Sequence, residues 1–271
     1  MTTVPEPALA HGALHGGMPY LRVGSGAPLV FLPGITAHHR QPEGSDLRAQ
    51  LAQLRPLARH RQVWWINRRP GLAAPVTIAG LARDYAEALR HVRLDGPLDV
   101  VGVSTGGSIA LQLAADHPAL VRRLAVVSAA CRLGPQGKRL QRRTCEWLRA
   151  GNPRRAAAAM LAGLGTRATT RRLLAGAGWL VGSRLLGTGD PDLLATLEAE
   201  DAFDGEPRLA AITAPALVAG GERDAFYGRD RFARTAELIP HGRLRIYPGL
   251  GHVSTHRRAV ARDVLTFLDG G

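Results

Sequence analysis

Between Pro28 and Ala129, short apolar runs alternate with stretches in which leucine recurs at helical spacing, and this alternation constrains the fold more than any other feature. PLVFLPG (28–34), QVWWIN (62–67), PLDVVGV (97–103) and VRRLAVVSA (121–129) read as buried strands, the first stopped by Pro33 and Gly34. SDLRAQLAQLRPLARH (45–60) carries Leu47, Leu51, Leu54 and Leu57 on one helical face, with Ser45 as its cap. TIAGLARDYAEALRHV (77–92) starts at a Thr77 cap, and STGGSIALQLAADHP (104–118) ends at Pro118. Repetition of this kind builds parallel β-α-β units. The expected fold class is α/β, with a doubly wound, mostly parallel sheet.

The alternation stops near Arg132. From there to about Arg208 no convincing strand is legible, and the stretch is rich in Arg, Ala and Leu. Breaks at Gly134-Pro135, Gly151-Asn152-Pro153 and Gly189-Asp190-Pro191 divide it into several short helices. Alternation resumes with the strand APALVAGG (214–221), the helix RDRFARTAELI (229–239), the strand RLRIYPG (243–249) and the helix THRRAVARDVLTFL (255–268). The expected organisation is a loose, Pro-, Gly- and His-rich lead-in (1–17), a core (18–131 and 209–271) and an inserted helical lid (132–208). Such a lid turns an apolar face inward and a cationic face outward by default, or points an arginine inward to hold a substrate carboxylate or phosphate; the sequence does not choose between the two.

The 271 residues suit one large α/β domain, and a hydrophobic content of 45% supplies a core and argues against disorder. The formal charge of +13 is nearly all arginine, Lys138 being the lysine. A basic balance often signals nucleic acid, an anionic membrane or an acidic ligand. Here arginine is spread along the chain, few aromatics accompany it, and no zinc-finger spacing or RNA-binding aromatic signature is present. The expectation is a solvated Arg-rich surface and no nucleic-acid partner. Cys131 and Cys145 are too few for a disulfide framework. The N-terminus lacks a basic start and a continuous apolar stretch, and LLAGAGWLVGSRLLG is interrupted by glycines and Arg184. A cytoplasmic protein without a membrane span is expected; the oligomeric state is not legible.

VVGVSTGG (100–107) places Ser104 directly after a buried strand and directly before a helix, with Gly102 and Gly106 two residues to either side. A sharp strand-to-helix turn strains its middle residue and brings neighbouring backbone very close, which only residues without side chains allow. The turn exposes a hydroxyl at the carboxyl edge of the sheet. A serine hydroxyl needs a base to take its proton, and the base needs an orienting anion. In an open parallel sheet, reactive groups gather beyond the carboxyl ends of strands. There, YPGLGHVS brings His252, and VAGGERDAFY brings Asp224. The chain order of nucleophile, acid and base is that of hydrolases with a nucleophile elbow.

GVSTGG, GGERDAFY, PGLGH and, more weakly, FLPGIT are the stretches through which the chain resembles the α/β-hydrolase superfamily from about residue 18 onward. The resemblance implies a serine nucleophile at Ser104, a general base and acid at His252 and an orienting carboxylate at Asp224. It also implies an oxyanion hole made of the backbone N–H groups of Ile35 and Thr105. The sequence departs from many relatives in two places. Leu32-Pro33-Gly34 stands where they carry His-Gly, and INRRPGLAAP has Asn67 where they carry Asp in an Asp-Arg-x-Gly-x-Gly loop.

Other residues compete for these roles. Asp201 and Asp204 offer alternative acids, and Glu222 is expected to point away or pair with an arginine. His256 is expected on the surface of the last helix, and His38 and His39 at the pocket rim or surface, His38 being the one placed to touch substrate. No third ligand has metal spacing with them. His91, His117 and His241 sit at element ends, where a cation complements carbonyls.

The implied chemistry is cleavage of a carboxylic ester of a small-molecule acyl substrate through an acyl-enzyme, without metal or organic cofactor. Serine rather than aspartate at the nucleophile position argues against alkyl-enzyme chemistry. A thioesterase, a carbon–carbon-bond hydrolase or a cofactor-free perhydrolase or lyase would use the same triad. A non-catalytic basic binding module on the same scaffold is the alternative of a different class.

Overall fold

The run LDVVGV is buried at all six positions because its strand has a partner strand on each side and an apolar cluster against each face. A computed structural model describes residues 9–92, 94, 96–186 and 190–271. The strands are β1 (Ala10–Ala13), β2 (Pro19–Val23), β3 (Pro28–Leu32), β4 (Gln62–Ile66), β5 (Leu98–Val103), β6 (Val121–Val127), β7 (Ala216–Gly221) and β8 (Gly242–Tyr247). They form one sheet in the order β1-β2-β4-β3-β5-β6-β7-β8. Strands β3 to β8 run parallel, and β1 and β2 add an antiparallel edge.

The helices are α1 (Gly44–Ala58), α2 (Ile78–His91), α3 (Thr105–Asp116), α4 (Pro135–Arg149), α5 (Pro153–Ala162), α6 (Ala168–Leu185), α7 (Pro191–Ala202), α8 (Arg229–Leu238) and α9 (Arg258–Leu268). Thr77 caps α2 as its sequence position suggests, accepting the Gly80 N–H at 3.0 Å. The chain steps from β3 outward to β4 and then crosses to the other side of β3 to form β5. That reversal opens a crevice beyond the carboxyl ends of β3 and β5, where ligands of open α/β sheets bind.

Between β6 and β7 the described residues hold α4 to α7, a 3-10 turn at Glu206–Ala211 and no strand. Helix α4 follows the expected pattern, burying Gln141, Thr144, Cys145 and Leu148 while its arginines face out. Helix α6 reverses it. Gly178 and Gly182 face α5, and Leu173 and Leu180 face solvent. The expected break at Gly189 falls outside the described residues.

The lead-in also differs from its expectation. Ala10–Ala13 is a strand, pairing from Ala10↔Arg22 to Ala13↔Pro19, and a 3-10 turn at His15–Gly17 leads into β2. An edge strand is held by backbone hydrogen bonds, so a side-chain pattern rich in Gly and His conceals it. Residues 1–8 of that lead-in lie outside the described residues.

Candidate active site

At the β5–α3 junction the turn is as sharp as the glycines imply. Ser104 has φ 53° and ψ −127°, a conformation that non-glycine residues rarely hold. A Cβ on Gly102 would lie 2.5 Å from the Gly106 carbonyl oxygen, and one on Gly106 would strike the carbonyl of Leu32. The Ser104 N–H donates to the Val127 carbonyl at 2.9 Å, which ties the strained residue to β6. Helix α3 begins at Thr105 and directs the positive end of its dipole toward the crevice.

The loop after β3 closes over Ser104 from the other side. A Cβ on Gly34 would lie 3.2 Å from the Ser104 Cβ. Fully buried Arg68 holds this loop: its guanidinium donates to the Pro33 carbonyl at 3.2 Å, the Gly34 carbonyl at 2.9 Å and Thr36 Oγ1 at 2.9 Å. Its Nε–H donates to His39 Nε2 at 3.0 Å, and His39 Nδ1–H donates to the Arg69 carbonyl at 3.1 Å. Burial and the Arg68 charge pull the His39 pKa down to about 4, despite the opposing carbonyl and the nearby Asp192 and Asp190. Asn67 braces the same loop, accepting from Thr36 and donating to the His38 carbonyl.

His252 and Asp224 meet beyond β8 and β7. His252 Nδ1–H donates to Asp224 Oδ2 at 2.8 Å, and the Phe226 and Tyr227 N–H groups donate to Asp224 Oδ1 at 2.8 and 3.1 Å. Burial pushes the Asp224 carboxyl up, but the His252 charge and hydrogen bond and the two N–H donors outweigh it, leaving the pKa below the ordinary value. Burial likewise pulls His252 down, and Asp224, with a smaller push from Glu200, outweighs it, so its pKa stands above 6.5. Ser128, at φ 48° just past β6, accepts the Val253 N–H at 2.9 Å and so fixes the residue that follows His252.

Ser104, Thr105, Ile35 and His252 line one cavity of about 320 Å³. Its walls are mostly apolar: Leu133, Met160, Leu161, Leu164, Leu197 and Phe226 face it. Glu200 of α7 also lines it. This buried carboxylate accepts from Thr105 Oγ1 at 2.6 Å, Tyr227 OH at 2.7 Å, Ser108 Oγ at 3.3 Å and Gln141 Nε2 at 3.5 Å. Among the described residues the lining includes no Arg or Lys.

Residues 29–263 match the model of the alpha/beta hydrolase family. The RutD protein of Variovorax paradoxus, which carries the name carbamate hydrolase, is 30% identical over 78% of this chain and 82% of its own. The chain belongs to the alpha/beta hydrolase family. Among solved structures, the alpha/beta hydrolase MGS-M2 from a Medee basin deep-sea metagenome library superposes with a TM-score of 0.78 at 18% identity, over 94% of this chain and 96% of that one. A thermophilic esterase from Thermogutta terrifontis gives 0.72 at 20% identity, over 97% of both chains.

In this hydrolase the competing carboxylates are engaged elsewhere. Asp201 pairs with Arg142 and Asp204 with Arg132. Glu222 accepts the Gly249 N–H at 2.9 Å, and among the described residues it pairs with no arginine. His38 donates to Asp190 and is not part of the cavity wall, and His39 is buried rather than at a rim or surface. His256 precedes α9 instead of lying on it and is exposed at the cavity. His91 bonds the Glu87 carbonyl at the end of α2. Among the described residues no cluster of three His, Cys, Asp or Glu could hold a metal ion, and no helix is long and apolar enough to cross a membrane. Glu200, Arg68 and Ser128 are the site residues that sequence reasoning missed. The run EAEDAFDGEP contains Glu200, but nothing local marks it.

Proposed function

We propose that this hydrolase cleaves esters of neutral carboxylic acids through an acyl-enzyme on Ser104. The observation that carries the reading is the strained Ser104 sharing a cavity with a histidine whose far nitrogen is already bound to a buried carboxylate. Asp224 holds the tautomer in which His252 Nε2 is free to accept a proton. His252 takes the Ser104 Oγ proton as Oγ attacks the ester carbonyl. The oxyanion accepts from the Ile35 N–H in the loop after β3 and from the Thr105 N–H at the start of α3. His252 then protonates the departing alcohol. Water, deprotonated by the same ring, releases the acid and frees Ser104.

Arg68 strengthens one arm of this hole. Its guanidinium donates to the Gly34 carbonyl, which belongs to the same peptide group as the Ile35 N–H. Drawing electron density toward that carbonyl makes the N–H a better donor. Glu200 fixes the other arm by holding Thr105. A buried carboxylate in a wall without Arg or Lys disfavours acyl groups that carry a second negative charge. The insertion serves as a lid, with Met160, Leu161 and Leu164 over the cavity. Helix α7 is its fixed part, tied down by Glu200 and by Asp192, which accepts the Gly71 and Leu72 N–H groups.

The test is a panel of p-nitrophenyl esters, a carbamate ester, a thioester and a succinyl ester, run with wild type and Ser104→Ala, alongside a fluorophosphonate probe. Neutral esters should turn over best and the probe should label Ser104. Removing the nucleophile should cost several orders of magnitude. An Ala variant that keeps more than a few per cent of activity refutes the mechanism.

A further inference from the structure

We propose that helix α6 docks this hydrolase onto an anionic lipid surface. The helix is built inside out. Its contact with α5 is made by small residues: a Cβ on Gly178 would lie 2.6 Å from the Ala157 carbonyl oxygen, and one on Gly182 the same distance from the Arg154 Cα. Two backbones this close leave no room for large side chains between them. Four large apolar side chains of α6 point away from the protein instead. Leu173 is 73% exposed, Leu180 70%, Trp179 48% and Val181 44%. With Leu164 they account for five of the seven large hydrophobics that stand exposed among the described residues. A surface helix ordinarily does the opposite, and a clustered apolar face of this kind marks an interaction site.

Charge identifies the occupant. From Pro153 to Leu185 the chain has six arginines and no Asp or Glu. All six are exposed. Among the described residues none has a carboxylate partner, unlike Arg142 and Arg149 of α4, which pair with Asp201 and Glu198. Leu173, Ala177, Leu180 and Arg184 follow one another along a single helical stripe, and Arg154 lies over the Trp179 ring at 5.2 Å. A second copy of the chain is a poor partner, because a two-fold contact would set arginines against arginines. A nucleic acid would meet the cations and leave the leucines uncovered. An anionic bilayer satisfies both. A helix of this length, about 27 Å, lies in the headgroup plane with leucine and tryptophan dipped into the acyl boundary and arginines on lipid phosphates. Leu164, between α5 and α6, is exposed and also lines the cavity, so the docked face adjoins the site.

The experiment is flotation of the purified full chain with vesicles of phosphatidylcholine alone and of phosphatidylcholine mixed with phosphatidylglycerol. The expected result is binding to the mixed vesicles, weakened by salt and weaker still on neutral ones. The double variant Leu173→Ser, Leu180→Ser should bind the mixed vesicles about tenfold less. Its turnover of a soluble short ester should be unchanged, because neither leucine lines the cavity. The triple variant Arg171→Gln, Arg172→Gln, Arg184→Gln should lose the preference for anionic vesicles. Failure of the wild type to bind mixed vesicles overturns the proposal, as does undiminished binding by the leucine variant. A solution dimer that the leucine substitutions dissociate, or binding to duplex DNA in place of vesicles, overturns it in favour of those partners.

Discussion

The Thr105 hydroxyl donates to Glu200 Oε2 at 2.6 Å, and this bond joins the first residue after Ser104 to a helix of the insertion. The same carboxylate takes the hydroxyl of Tyr227, whose N–H binds Asp224 and whose ring stacks on His252 at 6.3 Å. Glu200 therefore braces both sides of the candidate site at once. Glu200→Gln should preserve the shape of this network while removing its charge. That charge helps to raise the His252 pKa. A general base works only when neutral, so with His252 as the proposed base kcat/KM should fall as pH drops through its pKa, which is raised above 6.5 in the wild type. The acid limb of the pH profile should move to lower pH in the Gln variant. A limb that stays in place removes Glu200 from the electrostatics of the site.

Arg68 and the loop it holds are separable by kinetics. Arg68→Met removes the donors to the Pro33 and Gly34 carbonyls but keeps much of the side-chain volume. Loss of a direct oxyanion donor costs about 10²- to 10³-fold in kcat, and a residue acting through the peptide should cost less, roughly tenfold to a hundredfold. The loss should fall on kcat, with KM nearly unchanged, because the charge that the hole binds is absent from the ground-state ester. Arg68→Lys should recover part of it. A rise in KM at constant kcat would mean that Arg68 only shapes the pocket.

What could be read from the sequence follows from range. Ser104 is marked by glycines two residues away, and the strands and helices up to β6 are marked by their own periodicity. His252 and Asp224 lie in different loops, yet each follows a legible strand, so sheet topology alone predicts their meeting. Glu200 and Arg68 have no such local mark. Glu200 reaches Thr105 from a helix whose packing on the core no spacing rule encodes. Arg68 acts through two carbonyls that any residue could supply. The strand β1 escaped for a related reason, since backbone pairing at a sheet edge leaves little trace in side chains.

The Asp224 carboxylate should matter through its charge rather than its bulk. Asp224→Asn keeps an acceptor for the Phe226 and Tyr227 N–H groups, so the loop should stay folded. It also offers His252 Nδ1 a neutral group that favours the wrong tautomer. The rate should drop by about 10⁴-fold with little change in thermal midpoint. Asp201→Asn, which touches the Arg142 pair, should be nearly silent in the same assay. If the two variants behave alike, Asp224 is not the orienting acid.

His39 gives the fold a measurable dependence on pH. It is buried and neutral in the folded chain, with a pKa pulled down to about 4 by burial first and the Arg68 charge second. In the unfolded chain its pKa returns to about 6.5. Between these values the unfolded state binds the proton and the folded state does not. The stability His39 contributes is therefore complete above pH 6.5 and is lost as pH falls toward 4. At about 1.4 kcal/mol per unit, the loss between pH 7.5 and pH 5 should be about 2 kcal/mol. His252 works in the opposite sense, because its raised pKa favours the folded state as pH falls, so the wild-type curve alone is ambiguous. His39→Gln separates the two. Glutamine can accept from Arg68 and donate to the Arg69 carbonyl, and it does not titrate. Urea unfolding at both pH values should show the wild type losing more stability than the variant by that amount. Equal losses would mean that His39 does not stay neutral in the folded protein.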